Sequence, residues 1–298
     1  MSRVPQIGWL ADGRRLHLQD GPIDLIVEAR GSETAVAAAY QAAARRFAGL
    51  LDELCAELPL LRQGADPARC PLRGTVARRM HAAVAPFAAE HFITPMAAVA
   101  GAVAEEILGA MVQAAVLTRA YVNNGGDIAL HLEGGEHFTV GLIDRPDARG
   151  LLRTTIIGSG DPSRGIATSG RHGRSFSLGI ADAVTVLARS ASQADAAATI
   201  IANAVDLPEH PAVSRCPAHD LQPDSDLGAR LVTRDVAALS DREIAEALAA
   251  GAACARHLLK RGLIDGAALR LQGETSVVAL KDLDAAAPRR PIERMVHA

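Results

Sequence analysis

YVNNGGDIAL, residues Tyr121–Leu130, sets two strand-like runs around Asn124-Gly125-Gly126-Asp127. Asn-Gly followed by a second glycine signals a tight hairpin, because both central residues of such a turn need positive φ. Paired glycines have a second use. Their bare backbone N–H groups approach a phosphate or a ring closely, and Asp127 is placed to accept from a ribose or an amide. The stretch opens a region, from Arg119 to about Val186, of short apolar runs punctuated by glycine: AYVNN, DIALHL, FTVGLI, LLRTTIIG, GIATS and DAVTVLA. These read as the strands of a sheet.

Helices flank that sheet in blocks. Upstream, RLHLQ (Arg15–Gln19) and IDLIVEA (Ile23–Ala29) surround Asp20-Gly21-Pro22 as a first hairpin. A long amphipathic helix is expected from Thr34 to Leu58, with Ser32 as its N-cap and Pro59 as its stop. A Pro/Gly loop covers residues 63–74, a shorter helix follows over Thr75–Ala85, and Pro95–Val116 reads as a buried helix whose Ala97, Gly101 and Ala104 permit close backbone approach. Downstream come a helix over Gln193–Val205, a Pro/Asp-rich loop over Leu207–Gly228, a helix over Asp241–Arg261 with the capping box Ser240/Glu243, and two closing strands in ALRLQG and TSVVAL. Blocks of strands and helices, rather than strict alternation, favour α+β over a doubly wound sheet.

Composition narrows the function classes. Hydrophobic residues form 49% of the 298 and charged ones 22%, which excludes disorder and supports one large domain or two closely packed halves, about 1–118 and 119–298. Only 3% of residues are aromatic, too few for stacking platforms on single strands, and a net charge of −3 supplies no field for nucleic acid or an anionic membrane. The start has no apolar leader region, no later stretch is expected to reach the roughly 18 apolar residues of a membrane span, and the location is read as cytoplasmic. Cys55, Cys70, Cys216 and Cys254 form no CxxC pair and are expected as small buried or half-buried residues.

GIATSGRHGRS, Gly165–Ser175, is neither a Walker loop nor GxGxxG, yet its glycines expose main-chain donors, Thr168 and Ser169 add hydroxyls, and Arg171 and Arg174 bring forked cations matched to phosphate. A solvated turn with scattered arginines is the plain alternative. In QADAAAT, Asp195 and Thr199 stand four apart on one helix face, a carboxylate and a hydroxyl suited to Mg²⁺. Ser192 with Asp195 also reads as an N-terminal cap. Asp224 and Asp226 form an incomplete calcium-loop pattern, better read as a solvated turn, and His172 is available as an acid or base.

NNGGDI, then IATSG, then VTVLA leading into ADAAAT resembles, in residues and in order, the FAD:protein FMN transferase (ApbE-like) superfamily; PMAAVAGAVAE, RSFSLGIADAVTVLA and PDSDLG are similar to a shorter branch of it. The resemblance implies an ApbE/T-fold-like α+β fold with mixed sheets packed against helices over residues 1–298. It implies FAD lined by Gly125, Gly126, Asp127, Thr168, Ser169, Gly170 and Arg171, with Mg²⁺ on Asp195 and Thr199. The implied reaction is attack of an acceptor threonine on the FMN phosphorus with AMP leaving. The partners it implies are a flavin nucleotide, an acceptor protein and a second copy of the chain in a homodimer; neither nucleic acid nor membrane is expected. The chain departs from the family where AGAVAE has Ala100 in place of a lysine, and where a histidine-rich segment is shortened to RSFSLGIAD. A hydrolase releasing FMN and AMP, and a non-catalytic flavin- or pterin-binding protein, stand as alternatives.

Overall fold

The computed structural model describes residues 4–143, 151–280, 284–285 and 295–297. A short strand, β1 (Gln6–Trp9), leads into the expected hairpin, β2 (Leu16–Asp20) and β3 (Ile23–Arg30). The long helix divides. α1 (Glu33–Phe47) starts on the Ser32 cap, whose Oγ accepts from the Ala35 N–H, and ends before Gly49, which sits at φ +81°. α2 (Leu50–Ala56) then restarts in a new direction, and Pro59 opens α3 (Leu58–Leu61) rather than ending a helix, because the first turn tolerates its missing N–H. α4 (Thr75–Val84) follows, and a 3₁₀ turn over Pro95–Ala98 runs into α5 (Val99–Ala114).

The glycine-punctuated region forms β4 (Arg119–Asn124), β5 (Asp127–Leu132), β6 (His137–Ile143), β7 (Leu151–Gly158), β8 (Gly165–Ser169) and β9 (Ala183–Ala188). After α6 (Ala191–Ala204), the span expected as loop contains β10 (Val213–Pro217) and α7 (Ala218–Leu221), with β11 (Leu231–Val236) pairing onto β10 as a two-stranded ribbon. Arg215 bonds the Leu178 carbonyl and Asp206, so tertiary anchors rather than local pattern hold β10. α8 (Asp241–Lys260) carries the expected capping box, and β12 (Gly266–Leu271) and β13 (Glu274–Val278) close the main sheet. Asp284–Ala285 is β14 and Met295–His297 is β15.

The order of the large sheet is β1-β2-β3-β4-β5-β8-β9-β12-β13, antiparallel throughout. A small sheet, β14-β7-β6-β15, is mixed, with β15 parallel to β6. Burial explains the strand sequences. β2 and β3 alternate buried and half-buried residues because helices cover one face, whereas β4, β5, β8 and β9 run almost continuously buried. On the helix side Leu25, Phe47, Met80, Ile107 and Ile201 share the main core; on the other side Tyr121, Ile128, Leu130, Phe138 and Ile157 form a second one.

Two expectations need correction. The helical segment Pro95–Ala114 is long and apolar enough to cross a membrane. It packs here against α1, α6, β4 and β5, while its Glu105 and Glu106 are ion-paired with Arg79 and Arg46. All four cysteines are free, but Cys55 and Cys70 are exposed rather than buried.

α5 presses its small residues onto α6. A Cβ on Gly101 would stand 2.3 Å from the Ala191 carbonyl oxygen, while one on Gly109, further along the same helix, would meet nothing within 4 Å. The two glycines therefore answer to opposite forces. Gly101→Ala is expected to destabilise the fold by about 1–3 kcal/mol or more through overpacking. Gly109→Ala should stabilise it by about 0.5–1 kcal/mol through helix propensity. Urea unfolding of the two variants beside the parent protein checks both signs.

Candidate functional site

The turn between β4 and β5 is built as its sequence requires. Gly125 and Gly126 take φ of +64° and +112°, a region that L side chains avoid, and the Asn123 side-chain oxygen accepts from the Gly126 N–H at 2.8 Å. Asn124 reaches back to donate to the Ala100 carbonyl at 3.2 Å, tying the turn to the first turn of α5. Asp127, the first residue of β5, accepts from the Thr168 N–H at 3.2 Å. The GGDI and TSG stretches are thus joined directly.

Asp195 does cap a helix, but not its own. The N-cap of α6 is Ser190, whose Oγ accepts from the Gln193 N–H. Ser192, read from sequence as the cap, instead donates its N–H and its hydroxyl to Glu105 of α5 at 2.6 and 2.8 Å. In return Asp195 accepts from the Gly101 N–H at 3.0 Å, with Ala100 N–H contributing, in the first turn of α5, where Ala98 offers no side-chain cap. Each helix satisfies the orphan donors of the other. Gly101 permits this approach, and Gly165 permits its counterpart, since a Cβ on Gly165 would fall 2.0 Å from the Ser190 carbonyl carbon.

Asp195 therefore lies beside Asp127. Burial pushes the Asp127 carboxyl up to about 7, opposed only by the Thr168 N–H. Burial also raises Asp195, and the Asp127 charge and then Glu105 add to the rise against the Gly101 and Ala100 donors. Neither carboxylate has an ion-pair partner among the described residues. Both remain half-buried by surface area, so they face an opening rather than a sealed core. Thr199, one turn beyond Asp195, is half-buried too, while Ala196, Ala197 and Ala198 around it are buried. Among the described residues no three His, Cys, Asp or Glu side chains form a metal-ligand group. A cation here would rest on two carboxylates with hydroxyl, water and substrate oxygens, a sparse donor set that suits Mg²⁺.

The remaining sequence-identified residues divide. Thr168 Oγ1 stands 2.9 Å from Thr185 Oγ1, Ser169 ends β8 paired with Val184, and Gly170 packs so tightly on Asp182 that a Cβ would lie 2.5 Å from its carbonyl oxygen. Arg171 directs its Nε and Nη2 onto Asp182 at 2.8 and 2.7 Å, so its fork is occupied within the protein. Asp224 pairs with Arg62 and Asp226 accepts from Thr94 at 2.5 Å; each staples a loop. Sequence reasoning gave Asp182 no role, although its partner Arg171 stands 11 residues away, and marked Glu105 only as a replacement for the family's acid, because its partner Ser192 lies 87 residues along the chain. A separate surface cavity of about 450 Å³, lined by Leu207, His210, Arg242 and Glu246 among others, contains none of these residues.

Raised carboxyl pKa values carry a sign for stability. The folded state holds protons that the unfolded chain releases near pH 4, so between about pH 4 and 7 stability falls as pH rises. Asp127→Asn is expected to flatten that slope and to raise the melting temperature at pH 8, as read by thermal unfolding across pH 4.5–8.

A UPF0280 protein of Methanothrix thermoacetophila is 41% identical over 113 residues, 38% of this chain and 46% of the relative. One of Methanopyrus kandleri is 36% identical over 183 residues, 60% of this chain and 69% of the relative. The match thus spans about half the length of the first relative and about two thirds of the second. Among solved structures, flavinyl transferase ApbE of Pseudomonas stutzeri and flavin transferase ApbE of Vibrio cholerae cover 92% and 93% of this chain and are covered to 94% and 96%. They share 13% and 15% identity with it at a TM-score of 0.36, a likeness that does not extend to a site. The family described as AbpE bacteria matches residues 7–277, from the first strand of the large sheet to the last. The chain belongs to that family, the ApbE-like group that its motifs resemble.

Proposed function

We propose that the chain is a Mg²⁺-dependent, ApbE-like protein that binds FAD and acts on its pyrophosphate. The observation that carries this reading is the Asp127–Asp195 pair: two neighbouring carboxyls beside a glycine turn, both bonded to main-chain donors and without an ion-pair partner among the described residues. Half-buried like charges without a counter-ion are costly, and a divalent cation is the simplest group that satisfies both. Asp195, Asp127 and the Thr199 hydroxyl would hold it, and when bound it supplies charge neutralisation at the pyrophosphate.

The chain's own residues do the rest. Gly125 and Gly126 keep the turn free of side chains, Thr168 and Ser169 add hydroxyls at the end of β8, and Gly170 turns the chain away over Asp182. The Gly101 and Ala100 N–H donors fix the Asp195 carboxyl in place and oppose, without cancelling, the rise that burial imposes on it. Arg171 serves by holding its loop to Asp182. Reading residues 1–298 as one domain is supported by the large sheet, to which strands from both halves contribute.

The acceptor decides between transfer and hydrolysis. Ala100 stands where the resembling family has a lysine, and the histidine-rich segment is shortened, which favours water over a protein threonine as acceptor. Flavin-free protein titrated calorimetrically with FAD, with and without Mg²⁺, followed by chromatography for AMP and FMN, tests the reading. Mg²⁺-dependent binding with release of AMP is expected, and Asp195→Ala should lower the rate on the order of a hundredfold. Absence of FAD binding under both conditions would overturn the proposal.

A further inference from the structure

The two arginines of GRHGRS meet opposite fates. Asp182 is a buried carboxylate that takes Arg171 with two nitrogens, accepts from the Gln272 N–H at 2.5 Å and lies 3.2 Å from the His172 ring Nε2. The Arg171 N–H donates to the Ala181 carbonyl, and the Gly173 N–H closes back onto Gly170. The loop is therefore braced from β9 and β12 as far as Gly173. Arg174 comes directly after the brace. It is exposed and has no hydrogen bond or ion pair among the described residues.

Its position is nonetheless defined. Nη1, Cζ and Nε of Arg174 stand 3.4, 3.6 and 4.0 Å from where a Cβ on Gly125 would be, so the guanidinium lies along the bare backbone of the Gly125–Gly126 turn. Asp127 is two residues away but does not pair with it, and no other carboxylate among the described residues does. An exposed forked cation parked against a turn without side chains, with no internal anion among the described residues, matches a phosphate.

We infer that Arg174, held over the Gly125–Gly126 turn by the Asp182-braced loop, grips a phosphate of the nucleotide. This rests on the flavin-nucleotide reading above and assigns the grip to the second arginine of the loop rather than the first. Gly125 is part of the same device: a Cβ there would only touch the guanidinium, but any side chain would strain the turn at φ +64°.

Calorimetry of the parent protein, Arg174→Ala and Arg174→Lys with FAD, with riboflavin and with inorganic pyrophosphate tests it. All three proteins should melt alike, since Arg174 makes no internal bond. Arg174→Ala should weaken FAD about ten- to a hundredfold while leaving riboflavin unchanged, and Arg174→Lys should recover part of the loss. Equal FAD affinity in the parent and Arg174→Ala would overturn the inference, as would a parallel loss of riboflavin. If the parent binds no flavin, the proposed function fails and pyrophosphate decides the inference separately. Pyrophosphate binding weakened by Arg174→Ala upholds the grip; binding that is equal or absent rejects it.

Discussion

The site depends on the exchange of carboxylates between two helix starts. An α-helix begins with N–H groups that have no partner inside it, and two such ends meet where α5 crosses α6. Glu105 of α5 takes the donor of Ser192, and Asp195 of α6 takes the donor of Gly101. Neither bond forms unless the backbones come within a distance that any Cβ at residue 101 would prevent. The partial positive charge of each helix start also meets a carboxylate from the other, an arrangement worth more half-buried than in open water.

That exchange fixes Asp195 in space, and the sheet then brings Asp127 to it. β5 starts at Asp127 directly after the paired glycines, and β8 lies next to β5 so that the Thr168 N–H meets the Asp127 carboxylate. Asn124 bonds the same first turn of α5 that Asp195 caps. Three stretches far apart in sequence thus converge on one helix end. Main-chain contacts hold both carboxyls where water is scarce, so burial raises each of them, and the Asp127 charge adds to the rise of Asp195.

Much of this was legible where local chemistry decides local structure. The GG turn, the strands around it, the Ser32 cap and the Ser240/Glu243 box all form where the sequence places them. The long first helix was misjudged because Gly49 is compatible with a helix on paper, yet takes φ +81° once α2 turns to bury Leu50, Leu51 and Leu54. β10 was missed because VSRCP has no clean alternation and is held by Arg215 reaching other elements. The site divided in the same way. Asp127, Thr168 and Asp195 lie in motifs with a recognisable order, whereas the partner of each is a long-range donor that no spacing reveals. Ser192 is the clearest case: it has the right residue type for a cap two positions too late, and its hydroxyl goes to Glu105.

The arginines of the glycine-rich loop show why a residue's type does not fix its role. Arg171 and Arg174 carry the same fork three residues apart, and from sequence both suit phosphate. Asp182 removes Arg171 from that role by occupying its fork, and the bond braces the loop that delivers Arg174 to the glycine turn. Arg174, with its fork free among the described residues, stands instead along the Gly125–Gly126 turn that leads into Asp127. The same side chain is a brace at one position and an open fork three residues later because a single long-range carboxylate, Asp182, reaches only the first of them.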